Sequence, residues 1–129
     1  MLIFDTSVII DIERKDQKTI EQLKEIKQKY QSPGFLSFIS YFELLEGLKK
    51  QNLEDSEARE FIENFKVLKA SKKTAIELAD LKIRSEKDGN KIPLADLLIA
   101  AQAKENDFVV VTKDDHFNNI DVKTEFIKD

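Results

Sequence analysis

Three apolar residues in succession, Leu2, Ile3 and Phe4, run directly into a carboxylate at Asp5. Such a run is typical of a short strand buried on both faces, because a strand with one solvated face alternates apolar and polar residues. Strands of this kind belong to parallel sheets that are covered by helices. In open α/β sheets, ligands bind beyond the carboxyl ends of the strands. Asp5 is therefore the first candidate site residue.

Short apolar segments and amphipathic segments alternate along the rest of the chain. Strands are predicted at 35–39, 67–68, 108–111 and 121–127. Helices are predicted at 7–14, from 16 or 18 to 30, and at 40–50, 58–65, 71–89 and 93–104. In the helix at 71–89, the predicted buried stripe consists of Ala75, Ile76, Leu78, Ala79 and Ile83. Strands separated by helices indicate βαβ units.

The number of residues and the order of the elements together predict the fold class. A chain of 129 residues suits one domain with one core. We therefore predict a single α/β domain over residues 1–129. Its architecture is expected to be three-layered, α/β/α, around a central, mainly parallel sheet of four to five strands.

Composition excludes several classes of protein. The chain has no cysteine, which rules out disulfides, thiol nucleophiles and zinc–thiolate sites. No early stretch has the pattern of a signal peptide, and the longest wholly apolar run, 97–101, is far too short for a membrane span. We expect a soluble, cytoplasmic protein with no membrane partner. The formal net charge of −4 argues against broad binding to nucleic acid, although basic residues are concentrated at 66–91.

Glu43 follows the second predicted strand and is the last residue of a Ser-x-x-Glu segment that begins at Ser40. This pattern ahead of an apolar run is that of a capping box, in which the two side chains bind free amides at the start of a helix. The same position lies at the carboxyl edge of the predicted sheet, beside Asp5. Spacing alone leaves both interpretations of Glu43 open, helix cap and site residue.

Asp96 lies near the start of a helix whose other residues at 94–101 are all apolar. Such a helix is buried, and an unpaired buried carboxylate costs far more than the ~0.3–1 kcal/mol that the helix dipole contributes. A metal ion or a salt bridge must therefore compensate the charge of Asp96. No nearby residue is an evident cation, which favours the metal ion.

Asp114 and Asp115 follow the strand at 108–111, again at a carboxyl end. One of the two is expected to cap the short turn that follows. Asp114 is the candidate site residue because it comes two residues after Thr112, and Asp115 is expected to be a supporting or merely solvated residue. His116, the only histidine, is predicted to be a surface or packing residue rather than a ligand.

Taken together, these residues resemble the PIN domain, and in particular the small toxin nucleases of the VapC type. The resemblance consists of four segments in order, Leu2–Ser7, Ser40–Gly47, Ile92–Ala101 and Val111–Asp114, the last with Phe117 and Ile120 behind it. Each segment alone is weak evidence for membership of this family, but the occurrence of all four in this order is specific to it. The chain departs from the family at one position, since members have a further acid just before the phenylalanine where this chain has His116.

The resemblance implies a function and a set of site residues. It implies an acidic metal site formed by Asp5, Glu43, Asp96 and Asp114, with Thr6, Ser7 and Thr112 as polar supports. It also implies a metal-dependent endoribonuclease that acts on RNA, is commonly a homodimer, and is silenced by a small VapB-type antitoxin that covers the acidic cleft. We keep Asp115 as a further supporting residue.

Elementary chemistry indicates how such a site would work. Four carboxylates in one cleft repel one another, so that without metal some should have a raised pKa. Mg²⁺ suits a site of few carboxylates, and Mn²⁺ is chemically close to it. Water as the nucleophile would leave a 5′-phosphate and a 3′-hydroxyl without needing a catalytic histidine. Candidate outer contacts to the RNA backbone are Lys72, Lys73, Lys82, Arg84, Lys87 and Lys91.

Two other functions remain open from the sequence. A receiver-type phosphoacceptor domain has a similar length and a magnesium-bound acidic cluster, but its usual paired acids after the first strand are absent, since Thr6 follows Asp5. A PIN-like domain that binds RNA or a protein without cutting RNA is the other alternative.

Overall fold

A computed structural model describes residues 1–129, which form five strands, six α-helices and one short 3-10 turn. The strands are β1 (Leu2–Phe4), β2 (Gly34–Ser37), β3 (Lys66–Leu68), β4 (Val109–Thr112) and β5 (Thr124–Phe126). The helices are α1 (Thr6–Glu13), α2 (Gln17–Tyr30), α3 (Phe38–Lys50), α4 (Glu57–Glu63), α5 (Lys72–Lys87) and α6 (Leu94–Asn106). The 3-10 turn, Asp115–Asn119, follows β4.

All five strands form one parallel sheet in the order β3-β2-β1-β4-β5. The predicted α/β fold with a parallel sheet of four to five strands is therefore confirmed. The order also separates the fold from that of a receiver domain, whose strands run 2-1-3-4-5. Here β1 is central, and its pairing of Phe4 with Val111 of β4 brings the carboxyl ends of both strands to the same edge.

Strand alternation divides the core between the two faces of the sheet. Leu2 and Phe4 belong to one apolar cluster with residues of α1, α2, α3 and α4, whereas Ile3 belongs to a second cluster with residues of α5 and α6. Successive side chains of a strand point to opposite faces, so an uninterrupted apolar strand requires helices on both. The predicted three-layer arrangement follows from this division.

Gly34 allows the close packing of β2 against the first of these clusters. A methyl group in place of its hydrogen would lie 1.8 Å from Cε2 of Phe4, whose side chain is completely buried. Phe4 is fixed in turn by an edge contact with the ring of Phe65. Because Phe4 directly precedes Asp5, this packing helps to define where the end of β1 lies.

The start of α3 differs from the sequence-based prediction. The helix begins at Phe38 and its N-cap is Ser37, whose Oγ accepts a hydrogen bond from the Ile39 amide at 3.2 Å. β2 therefore ends at Ser37 and not at residue 39, and no loop separates it from α3. Ser40 is buried inside the helix and caps nothing, so the capping-box interpretation of Glu43 is wrong.

The buried face of α5 also differs from the prediction. The helix buries Thr74, Leu81 and Ser85, while Ile76 and Ile83 of the predicted stripe are exposed. The reason is a polar contact with α6, since Thr74 Oγ1 donates a hydrogen bond to Glu105 at 2.5 Å. The stripe predicted from hydrophobicity alone lies on a different face of α5 from the one that contacts α6.

None of the helices combines the length and the apolar composition that crossing a membrane requires.

Candidate metal centre

Asp5 is fixed at the carboxyl end of β1 by several hydrogen bonds. Its amide donates to the Val111 carbonyl at 2.9 Å, which continues the pairing of β1 with β4. Its Oδ1 accepts a hydrogen bond from the Thr6 amide at 2.8 Å and so caps α1, and its Oδ2 accepts one from Thr112 Oγ1 at 2.7 Å. Ser7 Oγ approaches the same Oδ2 at 3.5 Å. The carboxylate is buried, with one defined orientation.

Glu43 reaches the same region from the second turn of α3. Thr6 Oγ1 donates a hydrogen bond to Glu43 Oε1 at 3.0 Å, which joins the start of α1 to α3. The side chain is exposed to solvent along the rest of its length. Glu43 is therefore free of the helix-cap role and faces the same edge of the sheet as Asp5.

Asp96 and Asp114 complete a set of four carboxylates. Asp96 lies in the first turn of α6, and its side chain is 13% exposed. Asp114 is the N-cap of the 3-10 turn, where its Oδ1 accepts a hydrogen bond from the His116 amide at 2.8 Å. The Asp114 amide donates to Thr112 Oγ1 at 2.9 Å. The Thr112 hydroxyl thus links Asp114 to Asp5.

All four acids line one open cleft of about 400 Å³. The residues around it are Asp5, Thr6, Ser7, Ile10, Glu43, Asp96, Lys113 and Asp114. Thr112 lies directly beneath and is completely buried. Asp115, by contrast, is exposed and is not part of the cleft wall. The structure brings together every acidic and supporting candidate of the predicted metal site except Asp115.

His116 is the residue whose surroundings the sequence did not reveal. Its Nδ1 lies 2.9 Å from Asp96 Oδ2 and 3.0 Å from Asp114 Oδ1. His116 is a surface residue as expected, with 45% of its side chain exposed, but the expectation that Asp96 has no nearby cationic partner is wrong. The only sequence signal for this contact is that His116 comes two residues after Asp114. That spacing becomes informative only once Asp114 is known to cap the turn.

Lys113 is a second residue that the sequence analysis did not single out. It lines the cleft, and its Nζ donates a hydrogen bond to Asp11 Oδ2 at 2.7 Å. Asp129 lies 3.1 Å from the same nitrogen. None of the predicted basic contacts of α5 and the following loop lines the cleft, and two of them are paired elsewhere, Lys82 with Glu86 and Arg84 with Asp121.

Burial and mutual repulsion change the acidity of the cleft. Burial raises the pKa of Asp5 above its usual range, against the hydrogen bonds from Thr112 and Thr6. Burial also raises the pKa of Asp96 from 3.8 to about 6, and the charges of Asp5 and Asp114 act in the same direction. The hydrogen bond from His116 opposes this effect without cancelling it. The same hydrogen bond raises the pKa of His116.

The donor set fits a divalent cation. The cleft presents carboxylate oxygens, which Mg²⁺ and Mn²⁺ accept as ligands, with open volume for water molecules and phosphate oxygens. One oxygen each from Asp96 and Asp114 and one nitrogen of His116 lie within 4.8 Å of one another. A cation among these groups would relieve the repulsion that raises the pKa of Asp96.

We expect the stability of the metal-free protein to fall as the pH rises from about 5 to about 8. Folded Asp96 keeps its proton up to about pH 6, whereas the unfolded side chain loses it near 3.8, so deprotonation favours unfolding. The raised pKa of His116 acts in the same direction, since its stabilising charge is lost as the pH rises through that value.

Urea denaturation in chelator at several pH values measures this slope. An Asp96→Asn variant should have a flatter curve, because Asn does not titrate. Parallel curves for the two proteins would contradict the assignment of the slope to Asp96.

Comparisons with known proteins agree with this geometry. The family model of the PIN domain matches residues 2–123. A chain of the VapBC2 complex from Rickettsia felis, bound to a DNA fragment from their promoter, is 21% identical with a TM-score of 0.82, and the match covers 97% of each chain. DNA-bound VapBC from Salmonella typhimurium matches with 24% identity and a TM-score of 0.79, over 97% of this chain and 96% of that one.

A third solved structure, FitAcB from Neisseria gonorrhoeae, is 24% identical with a TM-score of 0.73 over 96% of each chain. A comparison with curated proteins gave no match. At these identities the solved structures show a shared fold, whereas the family model matches almost the whole chain. The chain therefore belongs to the PIN domain family.

Proposed function

We propose that this protein is a metal-dependent endoribonuclease that hydrolyses RNA phosphodiester bonds and serves as the toxin of a toxin–antitoxin pair. The observation that carries the proposal is the convergence of Asp5, Glu43, Asp96 and Asp114 on one cleft, although they come from four separate segments of the chain. A purely structural role would not require four acids at one point, because their mutual repulsion destabilises the fold.

The four carboxylates would hold the divalent ion, with Mg²⁺ as the first candidate and Mn²⁺ as the second. An ion held there would supply Lewis-acid polarisation of the phosphodiester and activation of water. Thr112 would keep Asp5 and Asp114 in a fixed relative position through its single hydroxyl, and Thr6 would orient Glu43. Such preorganisation avoids the cost of rearranging the ligands when the substrate binds.

Lys113 is the basic residue best placed to contact the RNA backbone, since it lies in the wall of the cleft. Asp11 and Asp129 hold its Nζ at present, so a phosphate would compete with these two carboxylates for it. The exposed residues Lys72, Lys73, Lys87 and Lys91 remain candidates for outer contacts. Lys82 and Arg84 are weaker candidates because each already has an acidic partner.

An antitoxin of the VapB type is the proposed protein partner. Of the three solved structures described above, two are VapBC complexes bound to DNA and the third is FitAcB. A largely apolar groove of about 180 Å³ between α1, α3 and α4 shares Thr6, Ile10 and Glu43 with the acidic cleft. A segment with an apolar face in this groove and a basic side chain in the cleft would match both surfaces.

A homodimer is the proposed assembly of the toxin itself. Ile76 and Ile83 lie seven residues apart on one face of α5, and with Leu94 at the start of α6 they are between 53% and 63% exposed. Burial of these residues against a second copy would remove apolar surface from water.

A cleavage assay with the purified chain tests the proposed activity. Single-stranded and structured RNA are incubated with protein that was freed of metal by a chelator and then supplied with Mg²⁺ or Mn²⁺. We expect cleavage with the added ion and none in chelator, and we expect products with a 5′-phosphate and a 3′-hydroxyl. Products with a 2′,3′-cyclic phosphate would contradict hydrolysis by water, and binding of RNA without cleavage would favour the non-catalytic alternative.

A further inference from the structure

His116 contacts two of the four carboxylates of a cleft that the family resemblance describes as acidic. Its Nδ1 lies between two carboxylate oxygens, 2.9 Å from Asp96 Oδ2 and 3.0 Å from Asp114 Oδ1. An Nδ1 atom carries at most one hydrogen, so a single N–H would have to serve both oxygens. The ring is also held through the backbone, because the His116 amide donates to the same Asp114 Oδ1 at 2.8 Å.

The two distances from His116 Nδ1 match the edge of a coordination octahedron. Two ligands at right angles around an ion with bonds of about 2.1 Å are separated by about 3.0 Å. Both contacts of His116 Nδ1 have this length, and all three donor atoms lie within 4.8 Å of one another. One cation could therefore bind all three groups with only small movements of the side chains.

We propose that His116 Nδ1 is a ligand of the divalent ion in this cleft, together with Asp96 and Asp114, and that this mixed nitrogen and oxygen site selects Mn²⁺ over Mg²⁺. The inference rests on the part of the proposed function that places a divalent ion in the cleft, and it does not depend on the cleavage of RNA.

The selectivity follows from the chemistry of the ligands. Mg²⁺ binds hard oxygen ligands and retains several water molecules. Imidazole nitrogen is a better ligand for transition ions, whose affinity for sites containing nitrogen rises along the first row. Replacing one oxygen ligand by the nitrogen of His116 should therefore weaken binding of Mg²⁺ relative to Mn²⁺.

A different role for His116 would give the opposite result. If His116 acted only as an internal counter-ion to Asp96 and Asp114, an incoming metal ion would have to displace it. Removal of the imidazole would then strengthen the binding of both ions. The two roles can be separated by measuring metal binding without RNA.

Pulsed electron paramagnetic resonance of bound Mn²⁺ tests the ligand directly. The chain has one histidine, so an untagged protein labelled with ¹⁵N-histidine carries the label at a single residue. We expect a ¹⁵N hyperfine coupling to Mn²⁺ in the native chain and its loss in His116→Gln. Bound Mn²⁺ that is lost in Asp96→Asn but shows no nitrogen coupling would overturn the proposal.

Titration calorimetry with Mn²⁺ and Mg²⁺ tests the selectivity. His116→Gln is expected to weaken Mn²⁺ binding by about tenfold or more and to change Mg²⁺ binding much less. Asn118→Ala, at an exposed position of the same turn, is the matched control and should change neither affinity. Stronger binding of both ions by His116→Gln would overturn the proposal in favour of the counter-ion role.

These measurements also separate the inference from the proposed function. Nitrogen coupling in a protein that cleaves no RNA would leave the ligand assignment intact and contradict only the nuclease. Cleavage supported by Mg²⁺ in a protein without nitrogen coupling would contradict only the ligand assignment. A failure of Mn²⁺ to bind where Mg²⁺ does would contradict only the ligand assignment, and a failure of both ions to bind would overturn both proposals.

Discussion

An Asp96→Asn variant is expected to lose RNA cleavage by at least about a hundredfold, the order of magnitude typical of removing one preorganised electrostatic group. The same variant should be at least as stable as the native chain in chelator at about pH 8. Asn has nearly the size of Asp but cannot carry the charge that burial in the first turn of α6 disfavours. Activity and stability should therefore change in opposite directions.

The matched control is Asp80→Asn, the same chemical change at an exposed position of α5. It should leave both the cleavage rate and the melting temperature unchanged, and since it is purified in the same way it also reports contaminating nucleases. Equal cleavage by Asp96→Asn and the native chain would contradict the role of Asp96 as a metal ligand. A loss of activity accompanied by a large fall in melting temperature would indicate a structural role.

Gly34→Ala is expected to destabilise the fold more than an alanine at either of the other two glycines. The new Cβ would lie 1.8 Å from Cε2, 2.6 Å from Cδ2 and 2.9 Å from Cζ of Phe4, and the buried ring cannot move without displacing the first apolar cluster. Overpacking of this severity costs about 3 kcal/mol or more. For a chain of this length the melting temperature should fall by about 10 °C.

Gly47→Ala is the matched control for this experiment. Gly47 lies inside α3, and a methyl group there would contact nothing within 4 Å. Since Ala forms helices better than Gly by about 0.5–1 kcal/mol, this variant should be equally or more stable. Thermal unfolding of both variants, followed by circular dichroism, provides the comparison. Equal melting temperatures would show that Phe4 can move aside, contrary to the packing described above.

The positions of the candidate acids were predictable where they depend on the topology of the sheet. Asp5 and Asp114 follow the buried strands β1 and β4, and parallel neighbouring strands necessarily end at the same edge. Asp96 was predictable for an energetic reason, because a carboxylate in an apolar helix requires compensation. These arguments need only the order of the elements and not their detailed packing.

Other features depend on packing and could not be predicted in this way. Two serines, Ser37 and Ser40, lie one helical turn apart, and only the end of β2 determines which of them caps α3. The buried face of α5 is set by its contact with Glu105 of α6, which hydrophobicity does not reveal. The place of His116 depends on a 3-10 turn that directs the ring back over Asp96.

The Thr112–Asp5 hydrogen bond has a consequence for the synthesis of this protein. It joins residues 107 positions apart, and β1 obtains its neighbour β4 only after all six helices have been synthesised. A nascent chain that has not yet exposed β4 lacks both Asp114 and the hydroxyl that orients Asp5. The acidic cleft would therefore form late, which would delay any nuclease activity until translation of the fold is nearly finished.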